Sequence, residues 1–251
     1  SSVWYLLDPR DGEEAARFQL DPSGQELSPP TVYEDKVFFG TGTGLIYCLN
    51  PRTGETLWLS DTEGPVYSAP AVANGVVVLG SYDHKVYAFD ANSGRKLWDF
   101  VTAGEVFASP SCTQDMVFVG CHAGKAYGLN IESGREVWVF ETGDVVQCAA
   151  VSGTTVYIGS YGMYALESRT GRQLWTFDTE GLVGASPIVL NDRVYVSSLQ
   201  SFALDARTGR QIWSYPAMAS LSLAACQLGQ LDWPMYRGNA NKTGTGTAAV
   251  K

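Results

Sequence analysis

The residues of this chain whose types could do chemistry recur at matching places in successive segments. Ser68, Ser109, Gln147, Cys148 and Ser186 fall in the stretches VYSAPAV, VFASPSC, VVQCAAV and VGASPIV, and Asp83 and Asp144 sit in polar turns. Serine, amide and thiol side chains lining one channel would suit a small ligand, and the two acids are the candidates for a base at its mouth. These seven are the candidate ligand-binding residues. A cysteine attacks as the thiolate, so Cys148 would need a basic neighbour to lower its pKa. No histidine lies in its segment or the matching ones, and Cys148 reads as a buried thiol. His84 and His122 fall in consecutive turns with no carboxylate or thiolate at ligand spacing, so they read as surface turn residues and no metal site is assigned. The five cysteines (Cys48, Cys112, Cys121, Cys148, Cys226) include no CxxC and no adjacent pair, which fits buried thiols rather than a disulfide framework. No nucleophile-elbow, Walker or dinucleotide signature occurs. GTGTG at Gly40–Gly44 reads as a hairpin turn, because no helix follows to receive a phosphate. No catalytic residue is assigned.

The elements that must hold these residues are set by a repeat. Trp58, Trp98, Trp138, Trp175 and Trp213 follow one another at intervals of 40, 40, 37 and 38 residues. Each lies four residues after a glycine: Gly54, Gly94, Gly134, Gly171 and Gly209. A sixth copy, LDPRDGEEA around Gly12, has Ala16 at the tryptophan position. A fixed period of this size is the mark of a repeat architecture. Within one unit, GPVYSAPAV, VVVLGSY, KVYAFDA and RKLWDFV read as four short strands rich in β-branched and aromatic residues. Asn74-Gly75, Asp83-His84 and Asn92-Gly94 supply the turns, with Gly94 at the left-handed position of a three-residue loop.

One such sheet cannot bury both faces alone. Stacking copies radially does so, which predicts an all-β fold: a β-propeller of four-stranded antiparallel blades, with each tryptophan filling the gap to the next blade. A proline twelve residues past the tryptophan (Pro70, Pro110, Pro187, with Ala150 in one copy) marks each first strand. Continuing that phase makes Ser220–Gln227 a further first strand, while the N-terminus begins at a third strand, Val3–Asp8. The reading is therefore six blades in a single domain over 1–251, the first blade shared by N- and C-terminal strands. Repeats cover about 3–227, and 228–251 is a closing or capping segment and tail.

The unit (A/N)-x-x-(T/S)-G-x-x-x-W resembles the tryptophan-docking repeat of pyrroloquinoline-quinone (PQQ) type β-propellers, and so does the strand pattern VVVLGSYDHKVYAFDANSG. DWPMYRGNANKTGTG, from Asp232 to Gly246, resembles a segment found at one end of many of them. The resemblance implies one of two branches. Quinoprotein dehydrogenases hold PQQ and Ca²⁺ with an aspartate base, acidic and amide calcium ligands and commonly a vicinal disulfide. This chain has no adjacent cysteines, and its inner segments are small and neutral. It stands nearer the non-catalytic branch, similar to the lipoprotein of the outer-membrane β-barrel assembly machinery and to sensor propellers of membrane kinases. The expected function is a non-enzymatic binding or scaffolding propeller that recognises a protein or small ligand on a ring face, with no cofactor. The alternatives are a PQQ/Ca²⁺ dehydrogenase or its remnant, and a ligand-sensing domain of a larger receptor or kinase.

Charge narrows the partner. The net charge of -9 argues against a nucleic-acid binder. No apolar run approaches the length of a membrane span, and no signal peptide opens the chain. The resemblance favours a periplasmic or extracellular location, and the expected state is a monomer. In an up-and-down blade the three-to-four turns carry Arg10, Arg52, Arg95, Lys96, Arg135, Arg169, Arg172, Arg207 and Arg210, while blade connections carry Asp61, Glu63, Glu105, Glu141, Asp144, Asp178 and Glu180. An electrically two-sided ring is expected, its acidic side steering a basic or cationic partner.

Overall fold

The computed structural model of the chain describes residues 3–7, 12–19 and 27–216, and among them there is no helix. The first two strands, β1 (Val3–Leu7) and β2 (Glu14–Gln19), form a two-stranded antiparallel sheet. Five four-stranded sheets follow. Blade 1 is β3 to β6 (Thr31–Tyr33, Lys36–Gly40, Leu45–Leu49, Thr56–Asp61). Blade 2 is β7 to β10 (Ala71–Ala73, Val76–Gly80, Lys85–Asp90, Lys96–Val101). Blade 3 is β11 to β14 (Ser111–Cys112, Met116–Gly120, Lys125–Asn130, Glu136–Glu141). Blade 4 is β15 to β18 (Cys148–Ser152, Thr155–Gly159, Met163–Glu167, Gln173–Phe177). Blade 5 is β19 to β22 (Ile188–Leu190, Arg193–Ser197, Gln200–Asp205, Gln211–Pro216). Every blade is a meander in which each strand pairs with the next. The first strands pack on one another from blade to blade, so they are innermost and the fourth strands form the rim.

The all-β propeller expected from the repeat is what the chain forms, but the count is corrected. Five complete blades stand among the described residues, where six were expected. The N-terminal copy contributes a two-strand pair, and it lacks the docking tryptophan that the five full blades carry. The strands expected from Ser220–Gln227, and the segment 228–251, lie outside the described residues.

Strand lengths follow from the first-strand prolines. A proline has no N–H for the ladder, so β3, β7 and β19 begin only after Pro30, Pro70 and Pro187, and each is three residues long. Where Ala150 replaces the proline, β15 runs for five residues, Cys148–Ser152. The loop after the third strand is one residue longer than expected. Ala91–Gly94 spans Asp90 and Arg95, whose backbones bond at 2.9 Å, and the Asp90 carboxylate accepts from the Asn92 and Ser93 amides. A register shift follows at each third-to-fourth pairing.

Four of the five repeat tryptophans lock their own blade to the next. Trp98 donates its indole N–H to the Ile131 carbonyl at 2.8 Å, and its ring lies on Gly134, where a Cβ would meet Cδ2 at 2.6 Å. Gly134 also has φ of 68°, so glycine is required there twice over. Trp58, Trp138 and Trp175 repeat the arrangement with Ala91, Ser168 and Ala206 and with Gly94, Gly171 and Gly209. Those four indoles are 7–9% exposed, whereas Trp213 on the last rim strand is 41% exposed. Gly12, the sixth copy's glycine, shares the left-handed φ at 75° with no described residue within 4 Å of a Cβ. The core is accordingly a series of layers between blades, such as Phe38, Ile46 and Trp58 against Val77, Leu79 and Phe89, and Val78 and Trp98 against Val117 and Leu129. β8 and β12 are buried on both faces.

Candidate interaction face of the ring

The connections between blades fold back onto the turns between second and third strands. Val66 N donates to Thr41 O at 2.9 Å, Val106 N to Ser81 O at 3.0 Å, Val146 N to Cys121 O at 3.2 Å and Val183 N to Ser160 O at 2.8 Å. Those bonds make one continuous surface, the connection face, while the other two sets of turns form the opposite, arginine-bearing face.

The sequence-predicted site residues divide between the scaffold and this face. Ser68 is buried, and its hydroxyl donates to Gly80 O at 3.0 Å while accepting from Gly80 N at 2.8 Å. Cys148 holds the equivalent place, buried, with its thiol donating to Val183 O at 3.8 Å. Burial pushes that thiol up to about 12. Burial does the same to Cys112, and raises Cys48 to about 11. Ser109 Oγ accepts from Ala69 N across blades at 2.9 Å, and Ser109 and Cys148 form an isolated parallel bridge. Gln147 is half-buried, its backbone N–H donating to Gly159 O at 3.0 Å, and Ser186 is exposed. Asp83 and Asp144 both lie on the connection face, on different blades. The Asp83 carboxylate accepts from Tyr87 OH at 2.8 Å and Lys85 N at 3.0 Å, and Asp144 is exposed. Among the described residues no three His, Cys, Asp or Glu side chains converge as metal ligands.

What the structure assembles instead is a cluster of rings on blades 2 and 3. Tyr82 stands at its centre, edge-on to Tyr67 at 5.2 Å, Phe107 at 6.1 Å and His122 at 6.1 Å between ring centroids. Phe107 and His122 lie 6.0 Å apart. Tyr67 and Phe107 come from the blade connections, Tyr82 and His122 from the second-to-third turns, and the backbone bonds above bring the two sets together. Two more pin the rings, Tyr82 N to Pro65 O and His122 N to Glu105 O, each at 2.9 Å. Phe107 remains 42% exposed. His122 is corrected from a surface turn residue to a packed one, and among the described residues its Nε2 is buried without a hydrogen-bond partner. Burial, reinforced by Tyr67 and Glu105, raises the Tyr82 phenol above its usual range. His84 is an exposed turn residue as expected, with Nε2 3.6 Å from Glu105. Sequence reasoning missed the cluster because its members lie on separate turns and connections. The available signal was the presence of aromatics at both the connection and the turn position in two repeats only.

The two faces differ in charge. Lys85 pairs with Glu63 at 2.8 Å and Lys125 with Glu141 at 3.1 Å. Asp61, Asp83, Asp144, Asp178 and Glu180 form no ion pair among the described residues. On the opposite face Arg169 pairs with Asp115 at 2.7 Å and Arg172 with Glu167 at 3.3 Å, while Arg52, Arg95, Arg135, Arg207 and Arg210 form no ion pair among the described residues. The connection face is acidic in composition, and the opposite face mixes unpaired arginines with arginine–carboxylate pairs.

A family model described as outer membrane protein assembly factor BamB matches residues 1–144 and 140–231. Among solved structures, BamB from Moraxella catarrhalis is similar at a TM-score of 0.69 and 19% identity, over 81% of this chain and 67% of that one. A computationally designed protein, Ika8, is similar at 0.73 and 19%, over 80% and 64%. Quinohemoprotein alcohol dehydrogenase ADHIIG from Pseudomonas putida HK5 is similar at 0.64 and 16%, over 75% of this chain and 41% of that enzyme. At these identities the structural likeness establishes the fold. A search among proteins of curated function finds no match.

Proposed function

The chain belongs to the family of the outer membrane protein assembly factor BamB, and on that footing we propose that it is a non-enzymatic propeller that binds a partner protein on a ring face. The observation that carries the reading is a contrast between the axis and the connection face. The axial Ser68, Ser109 and Cys148 are taken up by the scaffold's own bonds, while the connection face presents exposed rings and several acids, Asp83 and Asp144 among them, that form no ion pair among the described residues. The partner is basic, and the protein works in a periplasmic or extracellular compartment. No quinone belongs to it. PQQ with Ca²⁺ needs acidic and amide ligands around three carboxylates, and the axial donor set does not fit that group.

The test is site-specific photocrosslinking in the organism's own cells, with photoreactive side chains at Ala123 on the connection face, Arg95 on the opposite face and Val139 on the rim. Protein adducts from a ring-face position and none from the rim are expected. Reconstitution with PQQ and Ca²⁺ accompanies it, and no quinone absorbance should survive desalting. Calcium-dependent dye reduction with an alcohol, or the absence of adducts from both faces, would overturn the reading.

A further inference from the structure

The ring cluster on the connection face is not a product of the repeat. Three residues before the first-strand proline position, the blades carry Leu27, Tyr67, Phe107, Gln147 and Gly184. Two residues past the second strand they carry Gly42, Tyr82, His122, Tyr161 and Leu199. The same fold is built with glycine, glutamine or leucine at these places, so aromatics at all four positions of blades 2 and 3 answer to something besides folding. Nor are they core residues: the inter-blade layers lie deeper in the blades, and Phe107, Tyr161 and Leu199 are exposed. The buried Nε2 of His122 is a cost that a surface serving stability alone would shed.

We propose that Tyr67, Tyr82, Phe107 and His122 form the docking site for an extended, positively charged segment of a partner protein. The inference rests on the protein-binding reading above and names the partner's chemistry. The neighbouring charge is complementary to a basic segment: Asp83 and Glu105 stand beside the rings on blades 2 and 3, Glu105 with only His84 at 3.6 Å for a partner among the described residues, Asp144 lies one blade on, and Glu63 is already paired with Lys85. An arginine set over an exposed tyrosine or phenylalanine gains a cation–π contact as well as a carboxylate partner. The acids are spread over successive blades, further than a small cation reaches. An extended chain advances roughly 3.3 Å per residue, so a few residues span the row Tyr67, Tyr82, His122, whose neighbouring centroids are 5.2 and 6.1 Å apart. Aromatic anchors ringed by charge are also the usual make-up of binding hot spots.

The experiment uses the full chain and a short, terminally blocked, fluorescent peptide of alternating arginine and valine, with a glutamate-for-arginine peptide as control. Fluorescence anisotropy should show binding of the arginine peptide that weakens as salt rises, and none of the glutamate peptide. Phe107→Ser should weaken it by roughly tenfold or more, as loss of a central aromatic anchor does. Glu105→Gln should weaken it several-fold, and Arg95→Gln on the opposite face should leave it unchanged. Ala123→Arg, at an exposed position beside His122, should also abolish it and covers the case in which Phe107→Ser misfolds. The proposal is overturned if the arginine peptide does not bind the folded protein, if the glutamate peptide binds as well, or if both Phe107→Ser and Ala123→Arg bind normally. Photocrosslinks from Arg95 but not Ala123 would sink this site while leaving the protein-binding function standing.

Discussion

Replacing Trp138 with alanine should cost far more than replacing Trp213, although the two residues hold the same place in the repeat. Trp138 is 7% exposed, donates to Ser168 O at 2.8 Å, stacks on Phe118 with centroids 6.0 Å apart and lies on Gly171. A buried indole removes about 150–250 Å² from water, which at about 25 cal/mol per Å² sets an upper value of roughly 4–6 kcal/mol. Truncation keeps alanine's share of that area but leaves a cavity and an unpaired carbonyl, and measured losses for large aromatics run about 3–5 kcal/mol. We expect about 4 kcal/mol. Trp213 is 41% exposed and makes no such bond to a carbonyl among the described residues; scaling by buried share and dropping the bond gives about 2 kcal/mol. The difference of about 2 kcal/mol is roughly a thirtyfold change in the folding equilibrium. Guanidinium denaturation of the two variants and the parent reads it directly. Losses equal to within about 0.5 kcal/mol, or a loss below about 1 kcal/mol for Trp138→Ala, would show that inter-blade docking is not what the tryptophan supplies.

Gly134→Ala should destabilise by more than the roughly 1–2 kcal/mol of a left-handed residue alone, because its Cβ would sit 2.6 Å from the Trp98 ring; Gly12→Ala, where no described residue comes within 4 Å of a Cβ, should show only the backbone cost in the same melt. Cys48, Cys112 and Cys148 should resist iodoacetamide at pH 8 in the folded protein and react on unfolding, followed by mass spectrometry, since their thiols are held at about 11 to 12. The same shifts fix the sign of an alkaline effect. The folded state keeps these protons above pH 9.0, the ordinary value, where the unfolded chain loses them, so stability is intact below that pH and falls as pH rises toward 12. Denaturation midpoints that rise over that window would contradict the burial of the three thiols.

The scaffold was legible because its requirements repeat. The glycine–tryptophan pairs, the first-strand prolines and the alternating valines occur in copy after copy, and each satisfies a local demand that any blade makes of any neighbour. The blade count was less legible, because it depends on how the chain ends meet rather than on a local pattern. The connection face was not legible. Tyr67, Tyr82, Phe107 and His122 follow one another at spacings of 15, 25 and 15 residues, and only the folding of connections onto second-to-third turns makes them neighbours. His122 read alone in a turn looks solvated; edge-on to Tyr82 at 6.1 Å it is part of a packed surface. The axial serines and Cys148 pose the opposite question, and Cys148 is the buried thiol that its sequence context suggested. Matching positions in a repeat can mark a lined channel or a structural bond, and Ser28 and Ser68 each make such a bond, closing an inner segment onto the end of its second strand.

That division explains how a propeller can acquire a partner without losing its fold. The energy that holds the blades together is confined to layers between sheets, where Trp, Gly and valine are fixed by close approach. The positions occupied by Gly42, Tyr82, His122, Tyr161 and Leu199 top each blade without entering those layers, so substitution there perturbs no neighbour by more than a turn. Specificity therefore accumulates where stability is indifferent to it. Here that place carries four packed rings on adjacent blades, with Asp83 and Asp144 forming no ion pair among the described residues, whereas Arg169 and Arg172 of the opposite face are matched by Asp115 and Glu167. A charge already satisfied by a neighbour has little to gain from a partner. A face whose carboxylates and rings are left facing water gains on every contact that replaces it.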